Sequence, residues 1–283
     1  MKKILCPTDF SKTATKAIAY AAHIAKRAGA HLSIMHVVHL PIVDTSETAL
    51  VASELLGEQM GDAEQKLKAT CQRLEEEYGA NREGGFTCDY ILKEALLTDI
   101  TEHLTKSQGY DLIVMGTTGC DNTMEELLIG SNTEAVIEEV RCPVLSIPAN
   151  ANWNEITKIV YAAEYTNEDK EALEEVVKFG SLFGAPIDVV HVTKEPNADT
   201  AEGDSFGREL QERYPDVPMR FEAVVSKHRD EGLKDYFMRE NGSVLAILRK
   251  DKGFLRELFT QSLAEKMIYQ ADVPLLVLHG RKK

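Results

Sequence analysis

The sequence predicts a doubly wound α/β fold built twice in one chain, and three observations predict it. Short apolar segments of strand length alternate with longer segments of helical period. Segments such as Leu112–Met115 are apolar throughout, which suits parallel strands covered on both faces better than half-exposed ones. The whole alternation then recurs. Lys3–Ser11 matches Lys158–Thr166 in chemical type at an offset of 155, and the same offset carries Gly29-Ala30 onto Gly184-Ala185 and His36-Val37 onto His191-Val192.

Taken in order, Lys3–Pro7 reads as a short strand. Ser11 is a candidate N-cap, and Ala14, Ala17, Ile18, Ala21, Ala25 and Ala28 form a helical stripe that stops at Gly29. Leu32–Val38 is the second strand, Ala63–Tyr78 a charged amphipathic helix and Phe86–Leu92 the third strand. Leu96–Lys106 is a helix, Leu112–Met115 a buried strand, Ser131–Val140 a helix and Val144–Ile147 the last strand. The second half repeats the plan with Ile156–Tyr161, Lys170–Phe183, Ile187–Val192, Arg220–Val225, Leu233–Arg239, Val244–Leu248, Ser262–Tyr269 and Leu275–Leu278. Each half thus predicts a mostly parallel five-stranded sheet with helices on both faces.

Towards the ends of the halves the offset falls to 131, with Ser131, Glu134, Ile137, Pro143 and Leu145 matching Ser262, Glu265, Ile268, Pro274 and Leu276. The second half is therefore about 24 residues shorter, and the loss is placed opposite the long segment His39–Tyr78. Polar residues around Ala149–Asn152 mark the boundary, giving domains 1–149 and 153–283. Within the long segment, Val43–Gly61 carries Leu50, Val51, Leu55, Leu56 and Met60. It is expected to pack on the adjacent domain, with a nucleotide lid or a partner-binding helix as alternatives.

Composition narrows the function. With 32 basic and 46 acidic residues in 283, the chain carries a formal charge of −14, which disfavours nucleic acid and anionic membranes as partners. No segment approaches the ~20 apolar residues of a membrane span, and the start has too short an apolar run for a signal peptide. Cys6, Cys71, Cys88, Cys120 and Cys142 form no Cys-x-x-Cys and leave one unpaired in any disulfide scheme, so reduced thiols and a cytoplasmic location are expected. The eight histidines show no ligand spacing, so no metal site is expected. His36 and His191 recur at one repeat position, which points to a structural role at a strand end.

The chemistry concentrates after Leu112–Met115. There Gly116-Thr117-Thr118-Gly119 leaves the strand, and Gly130-Ser131 opens a helix. A glycine loop at the carboxyl edge of a parallel sheet lets backbone approach a phosphate, and a helix N-terminus favours an anion. Thr117 and Ser131 add hydroxyl donors. A tight turn is the alternative for so short a glycine pattern. In the second half Arg249-Lys250-Asp251-Lys252 stands where Gly-Thr-Thr-Gly stood, and Gln261-Ser262 replaces Gly130-Ser131. That basic loop is expected to be solvated, and at most one site per chain is predicted.

Pro7-Thr8-Asp9-Phe10-Ser11 after a strand, His36-Val37, Gly116-x-x-Gly119, Gly130-Ser131 and the closing Cys142-Pro143-Val144-Leu145 together resemble the universal stress protein family, and both halves take part. The resemblance implies that ATP, with or without magnesium, or another adenine nucleotide binds the first half. Asp9 would meet the adenine or ribose beside Pro7 and Thr8; Val37 would line the base pocket and Met115 close the strand end. Gly116, Thr117, Gly119, Gly130, Ser131 and Asn132 would hold the phosphates. The nucleotide-binding branch has nine residues between its second and third glycines, whereas here Cys120–Ile129 is ten. Helix capping explains Asp9 equally well, and core packing explains Val37 and Met115. The resemblance further implies that Val144–Ile147 and Leu275–Leu278 pair as an intramolecular pseudo-dimer, with higher association left open. The expected activity is nucleotide-dependent regulation of an unidentified protein partner without catalysis beyond slow ATP hydrolysis. The alternative is a scaffold that binds no nucleotide.

Overall fold

The computed structural model describes residues 1–38, 46–79, 86–117, 131–195, 200–249 and 273–280, with backbone alone for 46–52, 131 and 200. The first half runs β1 (Lys3–Pro7), α1 (Lys12–Ala28), β2 (His31–Val38), α2 (Ser46–Tyr78), β3 (Thr87–Glu94), α3 (Leu97–Gln108), β4 (Leu112–Gly116), α4 (Ser131–Glu139) and β5 (Val144–Ile147). The second runs β6 (Ile159–Ala162), α5 (Asn167–Ser181), β7 (Ile187–Thr193), α6 (Thr200–Arg213), β8 (Met219–Val225), α7 (Arg229–Arg239), β9 (Val244–Arg249) and β10 (Leu275–His279).

All described strands join one sheet in the order β3-β2-β1-β4-β5-β10-β9-β6-β7-β8. Pairing is parallel within each half. Where the halves meet, β5 and β10 run antiparallel, with Leu145 opposite Leu276. This is the expected pseudo-dimer, and the contact removes two sheet edges. Successive strand residues point to opposite faces, so Ile4 and Cys6 enter one core while Leu5 enters the other. The first core lies under α1, α2, α5 and α6, and the second under α3, α4 and α7. Both continue across the β5/β10 seam.

The helices obey the signals that start and stop them. Ser11 Oγ accepts the Ala14 N–H at the head of α1, and Gly29 ends it with φ of 60°. At the same place in the second half, Thr166 and Asp169 form a reciprocal capping box. Alanines on α1 (Ala17, Ala21, Ala22 and Ala25) are wholly buried, which brings its backbone close to the sheet.

Two expectations are corrected. The described part of Val43–Gly61 extends one continuous 33-residue helix whose side chains from Ser53 to Asp62 are exposed or half-buried, not buried against the second half, while residues 43–45 and the side chains of 46–52 lie outside the described residues. Leu55 is half exposed. The second correction is α6, which has no counterpart in the expected element list. Its Gly203 and Gly207 lower helix propensity, yet a Cβ at either would stand 3.0 Å from the Tyr165 ring or 3.3 Å from the Phe221 ring. Those glycines let the helix lie close on aromatic side chains. At 14 residues against 33 in α2, α6 also accounts for most of the missing length. The expected helix at 262–269 lies outside the described residues.

The segment between the halves is packed. Ala151 and Ile156 are buried, Tyr20 donates to the Asn152 carbonyl at 2.7 Å, and Trp153 stacks on His23 with centroids 4.2 Å apart.

Candidate functional site

The carboxyl edge of β2, β1, β4 and β5 carries the residues singled out in the first half. Pro7 is buried at the end of β1. Thr8 is buried beside it, its N–H donating to the Met35 carbonyl at 2.8 Å and its hydroxyl oxygen accepting from Phe10 N–H at 3.0 Å. Asp9 is exposed, and its Oδ1 accepts the Ser11 N–H at 2.9 Å in an Asx turn that leads into α1, while Ser11 itself is the N-cap. Val37 is half-buried on the neighbouring strand, and Met115 is buried in the core between the sheet and α3 and α4. Thr117 N–H donates to the Ile147 carbonyl at 2.9 Å. Asn132 is exposed in the first turn of α4. Gly119, Gly130 and the Ser131 side chain lie outside the described residues.

Gly116 has a reason of its own to be glycine. A Cβ there would sit 2.7 Å from Thr13 Cγ2 and 3.1 Å from the Thr13 carbonyl carbon. The end of β4 is therefore pressed against the first turn of α1, next to the Asp9–Ser11 turn. Thr133, one turn into α4, donates its hydroxyl to the Gly116 carbonyl at 2.8 Å and ties α4 to the same point. Sequence reading missed Thr13 and Thr133. Their signal was their place in the first turn of each helix, too common to single them out.

A second unit holds the β1 end. Phe10 takes a left-handed φ of 64°, which costs a non-glycine residue about 1–2 kcal/mol. Its ring lies 4.6 Å from that of His36, whose Nδ1–H donates to the Thr8 carbonyl at 2.7 Å. Lys66 of α2 stands over the Phe10 ring at 5.3 Å. The repeat reproduces this unit. Tyr165 has φ of 58°, its ring is 4.5 Å from His191, and His191 Nδ1–H donates to the Ala163 carbonyl at 2.9 Å. The structural role expected of the two histidines is thereby given a mechanism.

What surrounds that unit differs between the halves. In the second half a buried carboxylate, Asp169, accepts from Tyr161 Oη at 2.7 Å, Thr166 N–H at 2.8 Å, Thr166 Oγ1 at 2.7 Å and Glu164 N–H at 3.2 Å. Burial and the nearby Asp169 carboxylate push Tyr161 well above the ordinary phenol range, so it stays a donor. Asp169 thus binds the N–H that Asp9 binds in the first half. Glu164, at the Asp9 position, turns to Arg229 at 2.6 Å.

Strand register places Leu248 at the Gly116 position and Arg249 at that of Thr117, one residue off the expected match, and Arg249 also corrects the expectation of a solvated basic loop. It is buried, and its Nη1 donates to the carbonyls of Ile137 at 2.8 Å and Glu138 at 3.0 Å. His279, paired with it across β9 and β10, donates from Nε2 to the same Ile137 carbonyl at 2.9 Å. Burial pushes the His279 pKa down to about 4, with Arg249 and Arg141 adding to the effect. Two residues of the second half therefore cap the last turn of α4 in the first half. Lys250 and Lys252 lie outside the described residues.

Comparison with known proteins agrees with this architecture. The model of the universal stress protein family matches residues 1–148. A universal stress protein of Methanocaldococcus jannaschii is 35% identical over 149 residues, covering 52% of this chain and 81% of that protein. One from Synechocystis is 23% identical over 291 residues and spans 98% of this chain and 99% of its own length. Among solved structures, a universal stress protein from Archaeoglobus fulgidus superposes with a TM-score of 0.73 at 18% identity, covering 98% of both chains. That likeness extends to the fold across both halves.

Proposed function

The chain belongs to the universal stress protein family, and from that premise we propose that it is a stress-response protein whose first half, residues 1–149, binds one adenine nucleotide and changes what it offers a protein partner. The second half, 153–283, serves as its permanent dimer-like companion. One observation carries this reading: at the carboxyl edge the second half commits to internal partners the side chains that stand beside or in place of the first half's candidate contacts. Asp9 is exposed and holds an N–H of its own turn, whereas Glu164 at the same place is tied to Arg229, and Arg249, one residue past the Gly116 position, is spent on the neighbouring helix.

The residues present suit such a ligand. The Asp9 carboxylate is an acceptor for ribose hydroxyls, and Val37 offers an apolar wall. Asn132 lies in the first turn of α4, where backbone N–H groups lack intrahelical partners and the helix dipole favours an anion. Gly119, Gly130 and Ser131 complete the proposed phosphate contact, with magnesium accompanying ATP. Binding without fast turnover is the reading, because residues 116–131 contain no lysine or arginine to neutralise a transferring phosphoryl group. A cytoplasmic location goes with this proposal. Among the described residues no helix is long and apolar enough to cross a membrane.

The contact between Gly116 and Thr13 favours one alternative, a scaffold that keeps the glycine for packing alone. Small molecules released on denaturing freshly purified full-length protein, followed by calorimetry with Mg-ATP, separate the two. About one nucleotide per chain is expected. No released nucleotide and no heat of binding would leave the scaffold.

A further inference from the structure

Cys71 and Cys88 are remote from the nucleotide edge, and nothing in their spacing relates them. The fold brings them together. Cys71 lies on the buried face of α2 and Cys88 on β3, the strand at the edge of the sheet, with their sulfurs 3.0 Å apart. The thiols form a chain in which Cys88 Sγ–H points to Cys71 Sγ and Cys71 donates to the Asp89 carbonyl at 3.2 Å. Cys71 is buried, whereas Cys88 is partly open to solvent. The other described thiols, Cys6 and Cys142, are both buried, and their hydrogen-bond contacts run to proline carbonyls, not to another sulfur.

We propose that Cys71 and Cys88 are a redox-active pair that a peroxide oxidises to an intramolecular disulfide, stapling α2 to the edge strand. Cys88 meets the oxidant because it is the accessible sulfur. Its proton leaves to water and the thiolate attacks one peroxide oxygen, forming an S–O bond as the O–O bond breaks and hydroxide or alkoxide departs. Cys71 then attacks the sulfenic sulfur. The S–S bond forms, the S–O bond breaks, and the Cys71 proton leaves with that oxygen as water. In total two thiols lose two electrons and two protons, and the peroxide is reduced to water and water or alcohol. Closing the sulfurs from contact to a bond of about 2.05 Å is a movement of about 1 Å.

The hydrogen-bonded Cys71, burial, and the charges of Glu75 on α2 and Asp89 on β3 push the Cys88 thiol up, with Asp89 itself paired to His31 of β2. The thiolate is therefore scarce at neutral pH, and the pair responds to sustained oxidant, not to traces. The staple bears on the site's surroundings, because the same helix places Lys66 over Phe10 and Glu64 against Tyr90 at 2.9 Å.

The test uses reduced full-length protein treated with hydrogen peroxide across a pH series, quenched with iodoacetamide and mapped by mass spectrometry. The expected result is a linked peptide containing Cys71 and Cys88, the loss of two hydrogens in mass, and two thiols fewer to alkylate, all reversed by dithiothreitol. Cys120→Ser should form the same link, and Cys88→Ser should abolish it. The rate should climb with pH. Full alkylation of Cys71 and Cys88 after oxidation would overturn the proposal, as would a link from either to any other cysteine.

Discussion

The two halves keep the same backbone device and differ in everything that faces outward from it. Phe10 with His36 and Tyr165 with His191 hold identical left-handed turns, though one lies beside the candidate site and the other beside none. That pair therefore serves the fold. Around it, four first-half residues have been exchanged: Cys6 for Tyr161, Asp9 for Glu164, Ala14 for Asp169 and Thr117 for Arg249. Each exchange adds a side chain that consumes hydrogen-bonding capacity. A site becomes a strut by acquiring internal partners, and the open half is recognisable by the ones it lacks.

The comparison breaks most visibly at Asp169. Asp169→Ala removes the acceptor of four hydrogen bonds from a buried position, and a loss of about 3–4 kcal/mol is expected in denaturant unfolding, whereas Asp9→Ala should cost about 1 kcal/mol. His279 gives the next effect. Its folded pKa of about 4 lies below the unfolded value of about 6.5, so the unfolded chain takes the proton first. Stability is full above about pH 6.5 and falls toward pH 4, by up to about 3 kcal/mol; melting curves across that window should flatten in His279→Gln.

Arg249→Ala strips the last turn of α4 of its charged donor and should lower stability by about 2 kcal/mol, read as a drop in Tm. If nucleotide affinity falls as well, the second half steadies the helix whose N-terminus belongs to the candidate site. Gly116→Ala should cost about 1–2 kcal/mol through the Thr13 clash even without ligand, so its effect on ATP affinity must be compared with that of Ser131→Ala, which removes a proposed hydroxyl donor to the phosphates. Smallest of all, Glu164→Gln removes an exposed ion pair and should change stability by under ~1 kcal/mol.

The architecture was legible because the repeat aligned apolar strands at a fixed offset, and burial on both faces writes itself into composition. Helix α6 was not, because Gly203 and Gly207 look like breakers until Tyr165 and Phe221 are seen above them. Arg249 was misread for a related reason. A charged residue in a loop is ordinarily solvated, and only the antiparallel join of β5 and β10 brings it to the end of α4. Asp9, Val37 and Met115 fell at the predicted edge, since strand order alone puts them there. The meeting of Cys71 and Cys88 depends on the helix face and strand register together, which no local pattern records.

The chain has a single tryptophan, and the fold sets it in the joint between the halves, ring over ring with His23 at an interplanar angle of 2° and edge-on to Tyr20. Its fluorescence is therefore a built-in gauge of that joint. Burial lowers the His23 pKa, which favours the neutral imidazole beside that ring. A ligand or oxidant that moves α1 against the segment joining the halves would disturb this stack, and the light it gives off would report the movement without a label.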